Sequence, residues 1–345
     1  MDFSTLRVSS GAASALGLLK IKSFAAPTTA YVMIGEHCAR DCAFCSQARS
    51  SIDGNGRLSR VTWPEFRADE FAAALGKAAS DGSMKRACAQ VIGTATAFED
   101  AVKAVHFLRE ASGGQVPVSV SFSAMSKLEH VAALVEAGAD RVALPIDAAN
   151  RRLYERVKGH DMAYAMSLIS KCASTYPGHI GTHLIAGLGE TEQDVASVAS
   201  AMFSQGVGVG LFAFTPLPGT RLAYAPPPDL RSYRRIQLCL HLMKLGIASL
   251  EDFQFDSGRL VGIRLPADIV MGAALSGEAF MTSGCPDCNR PYYNERPGTV
   301  PYNYPLPLSG REAEEAASDA AADVRTDVGI GANSSIRSIT GGSDE

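Results

Sequence analysis

No apolar run in the 345 residues approaches the ~20 needed to cross a bilayer, and Lys20 and Lys22 break the one apolar patch near the N-terminus. Neither a membrane span nor a secretory signal core is expected. Net charge is scarce too, at −4, and unevenly placed. From Ser309 onward eight acids face three arginines, which gives −5 and leaves about +1 for the rest. A near-neutral body offers no basic face to nucleic acid. The eight cysteines are not spread as a disulfide framework; they cluster, which argues for a reducing, cytoplasmic setting. No dinucleotide-binding glycine fingerprint follows the first predicted strand. What is present is apolar content, 46% of residues, ample for a large core. The length fits two domains or one α/β barrel.

Short apolar segments alternate with amphipathic ones. Strands are predicted at 30–34, 88–92, 116–122, 140–146, 179–185 and 207–214. Helices are predicted at 97–111, 127–136, 151–174, 192–205 and 229–245. This is the pattern of right-handed parallel βα units. Six units predict an α/β fold, a partial (β/α)6 TIM-type barrel over residues 27–265. An N-terminal helical extension over 1–26, with an amphipathic piece at 12–19, lies over one end. Thr62, followed by Pro64 and Glu65, reads as the N-cap of a further helix reaching residue 79. Residues 253–265 are ambiguous. An irregular Pro- and Gly-rich extension over 266–308 follows, and the acidic segment 309–345 is expected to be disordered.

The chemistry concentrates behind the first strand, where Cys38, Cys42 and Cys45 stand in a loop. Barrel folds carry their chemistry in such loops. Three thiolates leave one iron of a four-iron cubane open to a non-protein ligand, whereas structural zinc needs a fourth protein ligand. His37 is a poor fourth ligand because neighbours in sequence rarely reach one tetrahedral ion. The spacing Cys-x3-Cys-x2-Cys, with Phe44 before the last cysteine, resembles the signature of the radical S-adenosylmethionine (SAM) superfamily. The resemblance implies a [4Fe–4S] cluster on Cys38, Cys42 and Cys45, with SAM on its open iron. It further implies one-electron cleavage of SAM to a 5′-deoxyadenosyl radical that abstracts a substrate hydrogen, and an electron donor of the ferredoxin or flavodoxin type.

Other superfamily elements are present in altered form. Gly93 and Thr94 stand where relatives receive the SAM amino group, without the usual acid. Asp147 either contacts the SAM ribose or caps the next helix. Ile185, Gly187 and Glu190 match the adenine-contacting motif, with His183 in place of its first glycine. Residues 215–220 resemble the Pro-x-x-Gly-Thr turn of biotin synthase and its relatives. The resemblance covers about residues 10–265 and points to the biotin synthase/lipoyl synthase branch.

Within that branch, biotin synthase needs a second cluster with cysteines on its second, third and fifth strands. Cys88 matches the first, but the third and fifth strands here have none. The pair Cys285 and Cys288 is the alternative, and with Cys88 it would give three thiolates for an auxiliary [4Fe–4S] cluster able to donate sulfide. Residues 285–297 resemble the C-terminal motif of two-subunit lipoyl synthases; the N-terminal Cys-x4-Cys-x5-Cys motif of the single-chain enzyme is absent. Zinc and a redox dithiol are the competing roles for Cys285 and Cys288. Arg290 and Arg296 either bind an anion or pair in solvent with acids such as Glu295. Cys172 and Cys239, inside predicted helices, read as core.

The expected function is a radical SAM sulfur-inserting enzyme, one subunit of a split lipoyl synthase. It would work with a second radical SAM subunit on an octanoylated carrier protein. The alternatives are a biotin synthase-like or other radical SAM enzyme, such as a methyltransferase or cyclase, and a non-catalytic metal-binding scaffold.

Overall fold

The computed structural model describes residues 3–327 apart from 53–55, 124, 292 and 296–297. The chain opens with β1 (Thr5–Val8), α1 (Ser10–Ala15) and β2 (Thr29–Ile34). A small hairpin, β3 (Arg57–Leu58) with β4 (Val61–Thr62), and then β5 (Glu65–Arg67) lead to α2 (Ala68–Ser80). Alternation follows: β6 (Arg86–Val91), α3 (Ala97–Ala111), β7 (Val118–Ser121), α4 (Leu128–Glu136), β8 (Arg141–Ala143), α5 (Arg151–Lys158), α6 (Met162–Thr175). It continues through β9 (Ile180–Ala186), α7 (Glu192–Phe203), β10 (Gly208–Ala213) and α8 (Leu230–Lys244). The hairpin β11 (Phe253–Asp256) and β12 (Arg259–Pro266), then α9 (Ala267–Leu275), α10 (Gly310–Ala321) and β13 (Arg325–Asp327) complete the described chain.

The main sheet runs β10-β9-β8-β7-β6-β2-β1-β5. Its six strands from β2 to β10 are parallel throughout, as expected of a partial (β/α)6 barrel. Helices cover the outer face and bury Phe71, Leu75, Val105, Leu108, Leu134 and Ile169 against it. No helix among the described residues is long and apolar enough to cross a membrane.

Four local expectations need correction. The N-terminal segment is not a helical cover: β1 joins the main sheet antiparallel to β2, and α1 is only six residues long. Thr62 does not open a helix. Glu65–Arg67 pairs with β1 instead, Leu6 opposite Phe66, and α2 starts at Ala68, whose N–H donates to Ser4 O. The helix predicted over 151–174 breaks at Gly159, which takes φ +72° as the C-cap of α5, and Asp161 caps α6. The acidic segment is not disordered over 310–321. Ser309 and Glu312 form a capping box there, and Ala313, Ala316, Ala317 and Ala320 make a buried stripe. Residues 328–345 lie outside the described residues. The ambiguous 253–265 segment is the hairpin β11–β12, which β13 extends into a separate three-stranded sheet.

Candidate functional site

β2 is buried along its whole length and ends at Ile34, and the cysteine loop begins four residues on. Backbone bonds from three directions pin that loop: Ala39 N donates to Gly93 O, Ala43 N to Val157 O, and Leu222 N to Ala43 O. Cys38, Cys42 and Cys45 are all partly exposed and line one cavity. Arg40 N donates to Cys38 Sγ at 3.4 Å. Burial pushes the Cys42 thiol up and the Cys45 thiol up to about 12, so in the bare protein both hold their protons until metal displaces them. A Cβ built on Gly93 would stand 3.1 Å from Cys38 Sγ, so that glycine leaves room for the sulfur.

The cavity, about 1240 Å³, also holds Cys88, Cys285 and Cys288. Register explains the placement. Side chains of a strand alternate between faces, and Tyr31, Cys88, Ser119 and Arg141 occupy one cross-strand row. The extension brings the other two cysteines inside, over a floor of small residues. Leu211 N donates to Ser283 Oγ at 3.0 Å, and a Cβ on Gly284 would lie 3.3 Å from Gly210 Cα. Arg86 Nε donates to Pro286 O at 3.0 Å and Thr28 Oγ1 to Asp287 O, tying the CxxC turn to the starts of β6 and β2. Tyr31 Oη lies 2.7 Å from Cys288 Sγ, Gln90 Nε2 donates to Cys88 Sγ at 3.1 Å, and Ser119 Oγ is 3.5 Å from Cys285 Sγ. Burial, then the neighbouring Cys285 and Cys288, pushes the Cys88 thiol up.

Among the described residues, no three His, Cys, Asp or Glu side chains are grouped to hold one metal ion. A tetrahedral zinc, with Zn–S near ~2.3 Å, requires such a group, whereas a cubane takes each thiolate on a different iron. Each trio supplies three thiols, the donor set of a cubane with one iron left open. Cys172 and Cys239 are buried in the core, as expected.

The remaining predicted residues divide. Phe44, Gly93, Asp147 and Ile185 line the cavity. Thr94 lies beside it with a buried hydroxyl that has no hydrogen-bond partner. Gly187 and Glu190 are turned to another task. Glu190 accepts from Gly187 N and Leu188 N, and Gly187, at φ +104°, packs so close to Pro228 that a Cβ would come within 2.8 Å. Arg290 is not a solvated partner of Glu295. It lines the cavity, stacks on Phe212 with its guanidinium carbon 3.9 Å from the ring centre, and donates to Ser283 O. Arg296 lies outside the described residues.

Sequence reasoning missed Lys158. Its Nζ donates to Asp147 Oδ2 at 2.6 Å and Pro145 O at 2.7 Å, and both side chains are nearly buried. Burial alone would lower Lys158, but Asp147 and then Cys42 outweigh it and hold the ammonium charged. Asp147 sits at φ +65°, uncommon for a residue other than glycine, on an isolated bridge to Leu184. Tyr31 was missed as well; only strand register with Cys88 could have pointed to it.

An open parallel barrel with three thiols behind its first parallel strand defines a metallocluster enzyme fold. Residues 32–202 match the radical SAM superfamily. Among solved structures, the chain is similar to HydG, a maturase of the [FeFe]-hydrogenase, at 14% identity and TM-score 0.51, covering 63% of this chain and 50% of that one. HydG from Carboxydothermus hydrogenoformans gives 12% identity and TM-score 0.51, covering 86% and 58%. Methylornithine synthase (PylB) gives 14% and 0.47, covering 88% and 73%. The chain thus spans half to three-fifths of the HydG structures, and at these identities the likeness is one of fold. Comparison with curated protein sequences returns no match. The protein belongs to the radical SAM superfamily, whose cofactors are a [4Fe–4S] cluster and SAM and whose members draw on an electron donor.

Proposed function

We propose that the protein is a sulfur-inserting radical SAM enzyme of the lipoyl synthase type, one subunit of a split enzyme acting on an octanoyl group carried by a protein lysine. The observation that carries this reading is the single cavity shared by two cysteine trios, one from the loop after β2 and one from β6 and the C-terminal extension. Cys38, Cys42 and Cys45 would hold the cluster that binds SAM, with Phe44, Gly93, Thr94, Asp147 and Ile185 around the SAM. Gly187 and Glu190 would shape the turn behind. Cys88, Cys285 and Cys288 would hold an auxiliary cluster, whose chemistry is to supply sulfide to a substrate carbon radical. Tyr31, Gln90 and Ser119 place hydrogen-bonding groups at those three sulfurs. Arg290 adds buried positive charge beside them, which offsets thiolate charge. A biotin synthase-type second site is less well supported, because Ser119 stands on β7, and Gly181 and His183 on β9, where thiols would be needed.

The test is mass spectrometry of an octanoylated carrier peptide after anaerobic turnover, with and without a second radical SAM subunit. Mass gain from sulfur supports the reading. SAM cleavage with no sulfur product under either condition refutes the lipoyl assignment. The scaffold alternative fails if dithionite yields 5′-deoxyadenosine. Cys285→Ala should abolish sulfur insertion and leave SAM cleavage; loss of both would mark a structural role.

A further inference from the structure

The shared cavity reaches the surface at one particular end. Its lining residues near the SAM loop, among them Cys38, Phe44, Gly93, Asp147 and Thr215, are all buried or half-buried. Among the described residues, those that both line the cavity and are exposed lie at the opposite end. They include Lys85, Gly206, Lys244, Leu245, Asp287 and Leu306. Lys85 immediately precedes β6 and Gly206 lies two residues before β10, so both mark strand starts; Lys244 and Leu245 end α8, which returns to that same side. The cavity therefore opens at the amino ends of the barrel strands, away from the loops that carry Cys38, Cys42 and Cys45.

The composition of this opening selects its visitor. Leu245 and Leu306 are 53% and 41% exposed and offer an apolar lip. Lys85 and Lys244 flank it, with Arg141 half-buried inside, against the single acid Asp287 among the described exposed lining residues. The route inward meets Cys288, Cys285 and Cys88 first, because their turn is tied to Thr28 and Arg86 at the strand starts. Only then does it reach Asp147 and Phe44. A six-residue strand such as β6 spans roughly 17 Å, a distance that suits a narrow extended arm and not a compact metabolite.

We propose that this lower opening is a portal for an unbranched acyl arm borne by a protein, and that Lys85 and Lys244 receive acidic residues flanking the modified lysine. The proposal rests on the sulfur-insertion reading for its substrate and deepens it by assigning the route and the carrier's charge. The acyl tip passes the auxiliary cysteines and stops near the SAM pocket, so a carbon of the chain lies between the two trios. The carrier itself stays outside, at the lysine-lined rim.

The experiment uses reconstituted holoenzyme with SAM and two photoreactive probes. One is a peptide with glutamates flanking an octanoylated lysine and a diazirine on the residue next to that lysine; the other is the free diazirine-labelled octanamide. Cross-links from the peptide to Leu245, Leu306 or the 203–208 loop support the portal. Charge reversal provides the second arm. K85E/K244E should bind the glutamate peptide at least tenfold more weakly and regain affinity for a peptide with lysines in those flanks, a rescue that a misfolded variant cannot give. Cross-links from the peptide confined to Leu58, Phe44 and Thr215 overturn the portal while sulfur insertion into the peptide persists. A peptide that cross-links nowhere and gains no sulfur overturns the portal and the lipoyl reading together.

Discussion

A Cβ built on Gly93 would stand only 3.1 Å from Cys38 Sγ. Gly93→Val should displace that sulfur, and less iron should be retained at the first site than in the parent protein, measured by iron assay and the cluster's visible absorption. Lys158 holds Asp147 by a charge-assisted bond of the kind that contributes about 1.5 kcal/mol or more. If Asp147 holds the SAM ribose, Lys158→Met should weaken SAM binding about tenfold by equilibrium dialysis, with Cys38, Cys42 and Cys45 untouched. His183 gives up its proton at a lower pH than an exposed histidine does. Burial, with Arg290 and Lys158 opposing protonation and Asp147 favouring it, pulls it from 6.5 down to about 4. The unfolded chain then binds a proton that the folded chain does not between those values, so stability is full above pH 6.5 and falls as pH drops towards 4. His183→Gln should flatten this slope in urea titrations at pH 4.5 and 7. Equal slopes would show that His183 is not its source. Cys38, Cys42 and Cys45 were legible because their chemistry is written in local spacing. Lys158 was not: its partner is set by the way α5 returns across the loop after β8.

The βα alternation was readable because each strand is an apolar run bounded by capped amphipathic helices, as at Asp161, Thr191 and Asp229. Misreadings arose where tertiary pairing outweighed local signals. Thr62, Pro64 and Glu65 make a good helix start, yet pairing of Glu65–Arg67 with β1 wins. α10 was hidden by its alanines, which count little towards apolar content but let helices pack closely. Between elements, one buried ion pair joins three of them. Glu192 on α7 accepts from Arg235 Nε and Nη2 on α8 and from Leu260 N on β12, with both side chains almost wholly buried. Glu192→Ala leaves a buried guanidinium unpaired and should cost about 3–5 kcal/mol. Urea unfolding of the anaerobic protein measures this, and a loss below ~1 kcal/mol would mean solvent reaches Arg235.

For the molecule as a whole, the extension is the second organising element. Arg234, fully buried on α8, donates to Tyr302 O and Pro301 O at 2.6 Å and sits between the rings of Phe280 and Tyr304. It anchors the strand-like return that keeps residues 283–290 inside the barrel. Arg234→Met should loosen that segment, raise its proteolytic sensitivity and, on the proposed two-cluster function, lower iron from about eight atoms per chain towards about four. Unchanged iron would mean that the CxxC turn is held by Arg86 and Thr28 alone. The barrel could be counted from the sequence, but the extension's position could not. Nothing in a Pro-rich stretch tells that Gly210 and Gly284 allow its close approach to β10.

That placement has a consequence for the order in which a growing chain becomes competent. The loop carrying Cys38, Cys42 and Cys45 can close against Gly93 and Val157 once less than half of the protein has been made. The contact between Arg86 and Pro286 joins positions 200 residues apart, and loop closure over that span waits until the extension has been made. A nascent chain would thus gather its first cysteine trio well before its second. On the proposed function, the site that donates sulfur would therefore be assembled after the site that starts the radical.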